Sequence, residues 1–260
     1  MSSPTLYARA MLLRNCGRFL NISSDYGSDY RTHPFLTAEM LYAGMSRERT
    51  RRSREFMAAL EDYDFFRDFD LSKAPLWFTP ATLCKQEAGG GLRFMSKSRL
   101  VSDRNLFNSM KEANPGIQDN DLLPKFGSIE SILPGQLFYT IGFSPERGEL
   151  DVFEEGQTFI MGKKRTMFQL VSLSRTNETQ QIREQVCHCE FVQIQPRDVT
   201  FFTSFEVLAT TRRYLVLRGE TRPAVAYRFQ PGVPFPAEVV VPEFVLKPFL
   251  GQLGLRSAEK

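Results

Sequence analysis

Apolar residues along Thr5–Arg14 fall on both sides of an extended chain. Leu6, Ala8, Ala10 and Leu12 line one face, and Tyr7, Arg9, Met11 and Leu13 line the other. A strand of period two with apolar residues on both faces is predicted to be central and covered on both sides. Asn21–Thr32 is rich in Ser, Asp, Gly and Tyr and reads as a loop. Thr32 and Pro34 then predict a helix start, with Thr32 as cap and the proline in the first turn, where its missing donor costs nothing. Phe35, Ala38, Leu41, Tyr42 and Met45 recur at spacings of three and four and give that helix one apolar stripe. An arginine run over 47–54 follows, and Phe56, Ala59, Leu60 and Tyr63 predict a second, shorter helix.

Beyond this the pattern turns to strands. Leu76–Thr79 is stopped by Pro80, and Gly89-Gly90-Gly91 breaks the chain. Leu92–Asp103 is basic and of mixed polarity, as expected of an edge strand or a projecting hairpin. Asn114-Pro115-Gly116 is a turn, and Leu123–Gly127 leads toward a strand at Gln136–Phe143. Further strands are predicted at Thr158–Met161, Met167–Ser174, Gln185–Ile194, Val199–Leu208, Tyr214–Leu217, Val225–Phe229 and Val239–Leu246. The expected class is α+β, dominated by antiparallel strands. The expected organisation is one domain over 1–260, with a thumb-like insertion at about 85–122 and a strand-rich C-terminal part from about 175.

Composition narrows the classes. With 42% hydrophobic and 24% charged residues in 260, the chain is neither a disordered tail, a collagen-like fibre nor a disulfide miniprotein. The longest apolar run, Val239–Leu246, is broken by Pro242 and Glu243 and is too short to span a bilayer. Arg9 and Arg14 interrupt the apolar stretch near the N-terminus, so no secretory signal is read there and a cytoplasmic location is expected. The net charge of +3 is mild, but its distribution is not. Basic clusters lie at Arg47, Arg49, Arg51, Arg52 and Arg54, at Lys163-Lys164-Arg165, and at Arg212, Arg213, Arg218, Arg222 and Arg228. Acid gathers at Glu61, Asp62, Asp64, Asp68 and Asp70. The 23 Phe residues belong mostly to the core, and those beside Arg are also suited to stacking on unpaired bases.

Catalytic and metal signatures are sparse. Cys187-His188-Cys189 places only its two sulfurs on one strand face, with no second pair to complete a tetrahedral zinc site, so neither a metal nor another cofactor is expected. Only His33 and His188 are available as imidazoles, and no nucleophile elbow, Walker loop or dinucleotide glycine pattern is present. His33 has no local partner for proton transfer and reads as a helix-entry contact. Gly162-Lys163-Lys164-Arg165 is the better chemical signal, because a glycine lets phosphate approach a backbone ringed by three cations.

Six segments carry a resemblance by their order. They are the strand Leu6–Leu13, the entry Thr32-His33-Pro34-Phe35-Leu36 running into Ala38–Gly44, Phe78-Thr79-Pro80-Ala81, Leu123–Glu130, Gly135-Gln136-Leu137-Phe138-Tyr139, and Met161-Gly162-Lys163-Lys164. Over about residues 5–175 this succession resembles the Cas five-type subunit of type I-D CRISPR Cascade, of the RAMP superfamily. The resemblance implies a ferredoxin-like (RRM-type) domain with a protruding β-hairpin thumb. It implies a non-catalytic subunit that grips the 5′ handle of CRISPR RNA, caps the backbone filament and contacts the backbone and large subunits near target double-stranded DNA. On that reading the RNA-binding residues are Arg18, His33, Arg47, Arg51, Gly162, Lys163, Lys164 and Arg165, and the thumb contacts are Arg93, Lys97, Arg99 and Arg104. Two alternatives stand beside it. One is a metal-independent CRISPR RNA endoribonuclease using His33 with Tyr26 or Tyr30 and a lysine; the other is an unrelated structural protein with basic patches.

Overall fold

The doubly apolar N-terminal segment does form a central strand. In the computed structural model, which describes residues 5–18, 22–25, 29–46, 75–95, 102–109, 125–161, 166–210 and 214–246, it is β1 (Tyr7–Asn15). After it come β2 (Ile22–Asp25), β3 (Asp29–Thr32), β4 (Phe35–Leu36), helix α1 (Ala38–Met45), β5 (Trp77–Phe78), β6 (Ala81–Gln86) and β7 (Leu92–Phe94). The middle of the chain holds β8 (Ser102–Ser109), β9 (Lys125–Ile132), β10 (Leu137–Ser144), helix α2 (Arg147–Asp151), β11 (Thr158–Met161) and β12 (Thr166–Leu173). The C-terminal part adds β13 (Asn177–Glu178), β14 (Gln180–Arg183), β15 (Cys187–Ile194), β16 (Phe202–Thr210), β17 (Leu215–Thr221), β18 (Val225–Phe229) and β19 (Val239–Pro242).

The main sheet runs in the order β11-β12-β1-β10-β6-β4, with every pairing along it antiparallel. The connection from β1 to β6 carries α1, and the connection from β10 to β12 carries α2. Both helices lie on one face. Arg9 Nη1 donates to the carbonyls of Leu150 and Phe153 at 2.7 and 2.9 Å, and its Nε donates to that of Ser174 at 2.9 Å, which clamps the end of α2 onto β1. At α1, a Cβ on Gly44 would lie 2.6 Å from Met161 Cγ, so only glycine allows this approach of helix to strand. Directly opposed residues share a face. By that rule Leu13, Phe138 and Phe168 belong to the helix face, and the rings of Phe138 and Phe168 meet edge-on at 5.7 Å.

The second face is covered over its middle by the C-terminal strands. Phe143, opposite Ala8, meets Phe229 of β18 at 6.3 Å, and Tyr139, opposite Leu12, meets Phe235 at 6.1 Å. This layer consists of two three-stranded sheets, β14-β18-β19 and β15-β17-β16. β15 buries Cys187 and Cys189 and exposes His188, so the Cys-His-Cys triplet is a strand with two inward sulfurs. Burial pushes the Cys189 thiol up to about 12, which keeps it protonated. A fourth sheet, β2-β3-β9-β8, pairs β3 and β9 in parallel.

Several expectations need correction. The helix begins at Ala38 and not at Pro34, because Phe35 and Leu36 pair with Thr82 and Ala81 as a strand. Its cap is Thr37, whose Oγ1 accepts from the Met40 backbone N–H at 3.3 Å; the Thr32 hydroxyl instead donates to the Glu130 carbonyl at 2.5 Å. The polar stretch expected as a loop contains the β2–β3 hairpin. Of the thumb expected at about 85–122, the described residues show β7 paired with β6 through a turn in which Gly90 takes φ 85° and β8 paired with β9; 96–101 and 110–122 lie outside them. The shorter helix expected at Phe56–Tyr63 lies outside the described residues. Among the described residues antiparallel strands dominate, the helices are few, and no helix is long and apolar enough to cross a membrane.

Candidate nucleic-acid interface

The second face is not covered everywhere. β11 and β12 bury Met161, Thr166, Phe168 and Leu170 toward the helices and turn Thr158, Ile160, Met167 and Gln169 the other way. Ile160 and Met167 stand directly opposite each other and are 57% and 44% exposed, values that mark them as uncovered. In the next row Gln169 lies between Thr158 on one side and Arg14 on the other. Thr158 and Arg14 are exposed. The result is an open corner of sheet, two apolar side chains wide, with a cation at its rim.

The residues after β1 are held at the end of the sheet by hydrogen bonds, Arg18 on the helix side to which Thr166 points. The buried Asn15 side chain is satisfied three ways: Nδ2 donates to the carbonyls of Gly17 and Leu133 at 2.8 and 2.9 Å, and Oδ1 accepts from the Gln136 N–H at 2.7 Å. The Cys16 N–H donates to the Met167 carbonyl at 2.8 Å, and Thr166 Oγ1 donates to the Arg18 carbonyl at 3.2 Å. The Arg18 carbonyl is therefore held beside Thr166, the first residue of β12. Gly162, Lys163, Lys164 and Arg165 lie outside the described residues. Helix α1 approaches the last residue of β11, where Gly44 packs on Met161.

The other expected site residues distribute unevenly. Arg47, Arg51, Lys97 and Arg99 lie outside the described residues. Arg104 stands in β8 opposite Glu130. Arg93 is on β7 and pairs with Glu87 across the hairpin at 3.8 Å, with both side chains more than half exposed. His33 sits next to β4, at the opposite edge of the sheet from Arg18. Four strand spacings separate β4 from β12, about 19 Å at about 4.8 Å each. Arg18 and His33 thus stand at opposite edges of the sheet, and Gly162, Lys163, Lys164 and Arg165 lie outside the described residues. The His33 ring stacks on Phe35 at 5.1 Å, its Nε2 is buried without a partner, and burial lowers its pKa to about 4. It stands as a neutral imidazole near pH 7. For the endoribonuclease alternative, Tyr26 lies outside the described residues, and Tyr30 stands in β3. Sequence reading missed Arg14, Ile160, Met167 and Gln169, because Phe159-Ile160-Met161 and Met167-Phe168 are apolar neighbours and the sequence does not mark which of them stays uncovered.

No family model and no curated protein matches the chain. Among solved structures it is similar to a chain in the cryo-EM structure of the Type III-B Cmr-beta bound to cognate target RNA. Identity there is 12% and the TM-score is 0.38, over 67% of this chain and 61% of that one. This chain therefore spans less than two thirds of that neighbour. A second similar chain comes from the Cmr-beta structure bound to cognate target RNA and AMPPnP, at 7% identity and TM-score 0.38, over 82% of this chain and 86% of that one. Such TM-scores are too low for either likeness to bear on function.

Proposed function

We propose that the chain is a CRISPR-associated RNA-binding subunit of RAMP type. At finer grain it is the Cas five-type subunit of type I-D Cascade, which holds the 5′ handle of CRISPR RNA and caps the backbone filament without cutting the RNA. The observation that carries the binding role is the open corner: an uncovered apolar pair, Ile160 and Met167, with the exposed Arg14 at its rim, on two strands that the sequence links through Gly162-Lys163-Lys164-Arg165. Uncovered sheet beside clustered cations suits a single strand, whose bases need an apolar platform and whose phosphates need positive charge. What supports the ferredoxin-like reading is strand order. Counting β1, β6, β10 and β12 as first to fourth, the sheet runs fourth-first-third-second, with a helix in the first and last connections. The family reading rests on the ordered motifs of the sequence, and its partners are the backbone and large subunits beside target DNA.

The test is a salt titration with single-stranded RNA carrying a CRISPR repeat handle. Each contacted phosphate contributes about −0.7 to the log–log slope of affinity against salt. Contact with three to five phosphates predicts a slope of roughly −2 to −3.5. A flat response removes the phosphate grip, and cleavage of the RNA lost in His33→Ala removes the non-catalytic reading.

A further inference from the structure

Beside the open corner the same sheet face holds a half-open cavity of about 210 Å³ between β10 and the C-terminal strands β15 and β19. It is smaller than the roughly 300–1,000 Å³ of sites that take drug-sized molecules. Its walls are apolar and partly aromatic, with Phe94 and Phe191 meeting at 5.8 Å and Val240 and Ile141 closing it. Two carboxylates line it as well. Glu190 is bonded to His188 at 3.1 Å and Glu238 is paired with Arg228 at 3.4 Å, and both side chains stay more than 40% exposed. Tyr139 lines it too, and the Tyr139 hydroxyl is buried with no hydrogen-bond partner in the protein. Tyr139 lies on the face of Arg14, one diagonal step away across the β1–β10 pair, about 7–8 Å.

We propose that this cavity takes a single unstacked nucleobase of the bound RNA, preferring bases with an exocyclic amino group. The inference rests on the RNA-binding reading. Three features select a base over an apolar protein side chain. A buried hydroxyl without a partner is costly, and an aliphatic group would leave it so, whereas each base edge carries donors and acceptors. The carboxylates accept hydrogen bonds and donate none, which matches amino groups and disfavours phosphate. The aromatic walls offer the flat surfaces on which unpaired bases stack. Burial raises the Tyr139 pKa far above that of a free phenol, so the hydroxyl stays available as a donor.

The experiment compares the full chain binding oligoadenylate, oligocytidylate and an abasic ribose-phosphate strand, each about ten nucleotides long. The parent is expected to bind the amino-bearing strands at least about tenfold tighter than the abasic one, a difference of about 1.4 kcal/mol. Val240→Trp, which fills the cavity, should bring both base-bearing strands down to the abasic level and leave abasic binding unchanged. Tyr139→Phe keeps the ring and packing, and should cut the base-dependent gain severalfold, which guards against a misfolded filling variant. Equal binding of abasic and base-bearing strands by the parent, or an unchanged base preference in folded Val240→Trp, overturns the proposal while leaving the phosphate grip intact. Binding of none of the three strands overturns both. Loss of association with partner subunits in Val240→Trp, with base preference retained, gives the cavity to a protein side chain.

Discussion

β10 and β12 are both eight residues long and both pair antiparallel with β1, one on each side, yet they differ in what covers them. β10 is buried along both faces from Phe138 to Ser144, between the helices and the C-terminal strands. β12 is buried at Thr166, Phe168 and Leu170 and exposed at Met167 between them. The C-terminal layer closes the centre of the second face and stops before the β11–β12 edge. The doubly covered centre holds the fold together, and the singly covered edge leaves Ile160 and Met167 open to solvent.

The sharpest way to break that comparison is truncation on each side of it. Phe143→Ala, in the centre, removes a ring with no exposed surface and should cost about 3–5 kcal/mol in urea unfolding. Met167→Ala, at the edge, should change stability by no more than about 0.5 kcal/mol. Comparable losses at the two positions would mean that the edge is as packed as the centre.

At the far edge, beside β4, the comparison is sharpened by pH. The folded state holds His33 near about 4, below the 6.5 of an ordinary imidazole. Between these values the unfolded chain binds a proton that the folded chain refuses. Stability is therefore full above about pH 6.5 and falls as pH drops toward about 4, by about 3 kcal/mol at most. His33→Gln should flatten this loss when urea midpoints are compared at about pH 7 and about pH 4.5. An unchanged acid slope in that variant would assign the effect to other groups.

A smaller effect is expected at Arg9, which ties α2 to the covered centre. Arg9→Ala strips donors from the carbonyls of Leu150, Phe153 and Ser174 and should cost about 2 kcal/mol, read as a lowered urea midpoint. RNA affinity should hold, since Arg9 points to the helix face, away from the open corner.

Legibility in the sequence followed the range of the interactions. The double apolar faces of Leu6–Leu13 and the short apolar run of Thr158–Met161 are local patterns, and both were readable as strands. The start of α1 was misplaced because Pro34 and the apolar stripe obey helix rules, while the pairing of Phe35 with Thr82 depends on a strand 47 residues away. Asn15 carries no local signature, since two of its partners are Leu133 and Gln136, 118 and 121 positions distant. The cavity was invisible for the same reason: Tyr139 meets Phe235 only after the C-terminal layer closes over β10. The basic run Gly162–Arg165 was readable as chemistry, but that Arg18 lies beside Thr166 follows from a bond between residues 148 positions apart.

On the proposed function, single-stranded RNA lies against the uncovered corner of β11 and β12. The most direct measurement is the affinity of the full chain for single-stranded RNA with carboxylates placed there, using Ile160→Glu combined with Met167→Glu. The control is Phe205→Glu combined with Val207→Glu on β16, two apolar residues of similar exposure at 48% and 45%. The corner variant should lose at least about tenfold in affinity with its melting temperature unchanged, because two anions now face the phosphates, and the control should bind as the parent does. Equal affinity of parent and corner variant, with both folded, would contradict the account.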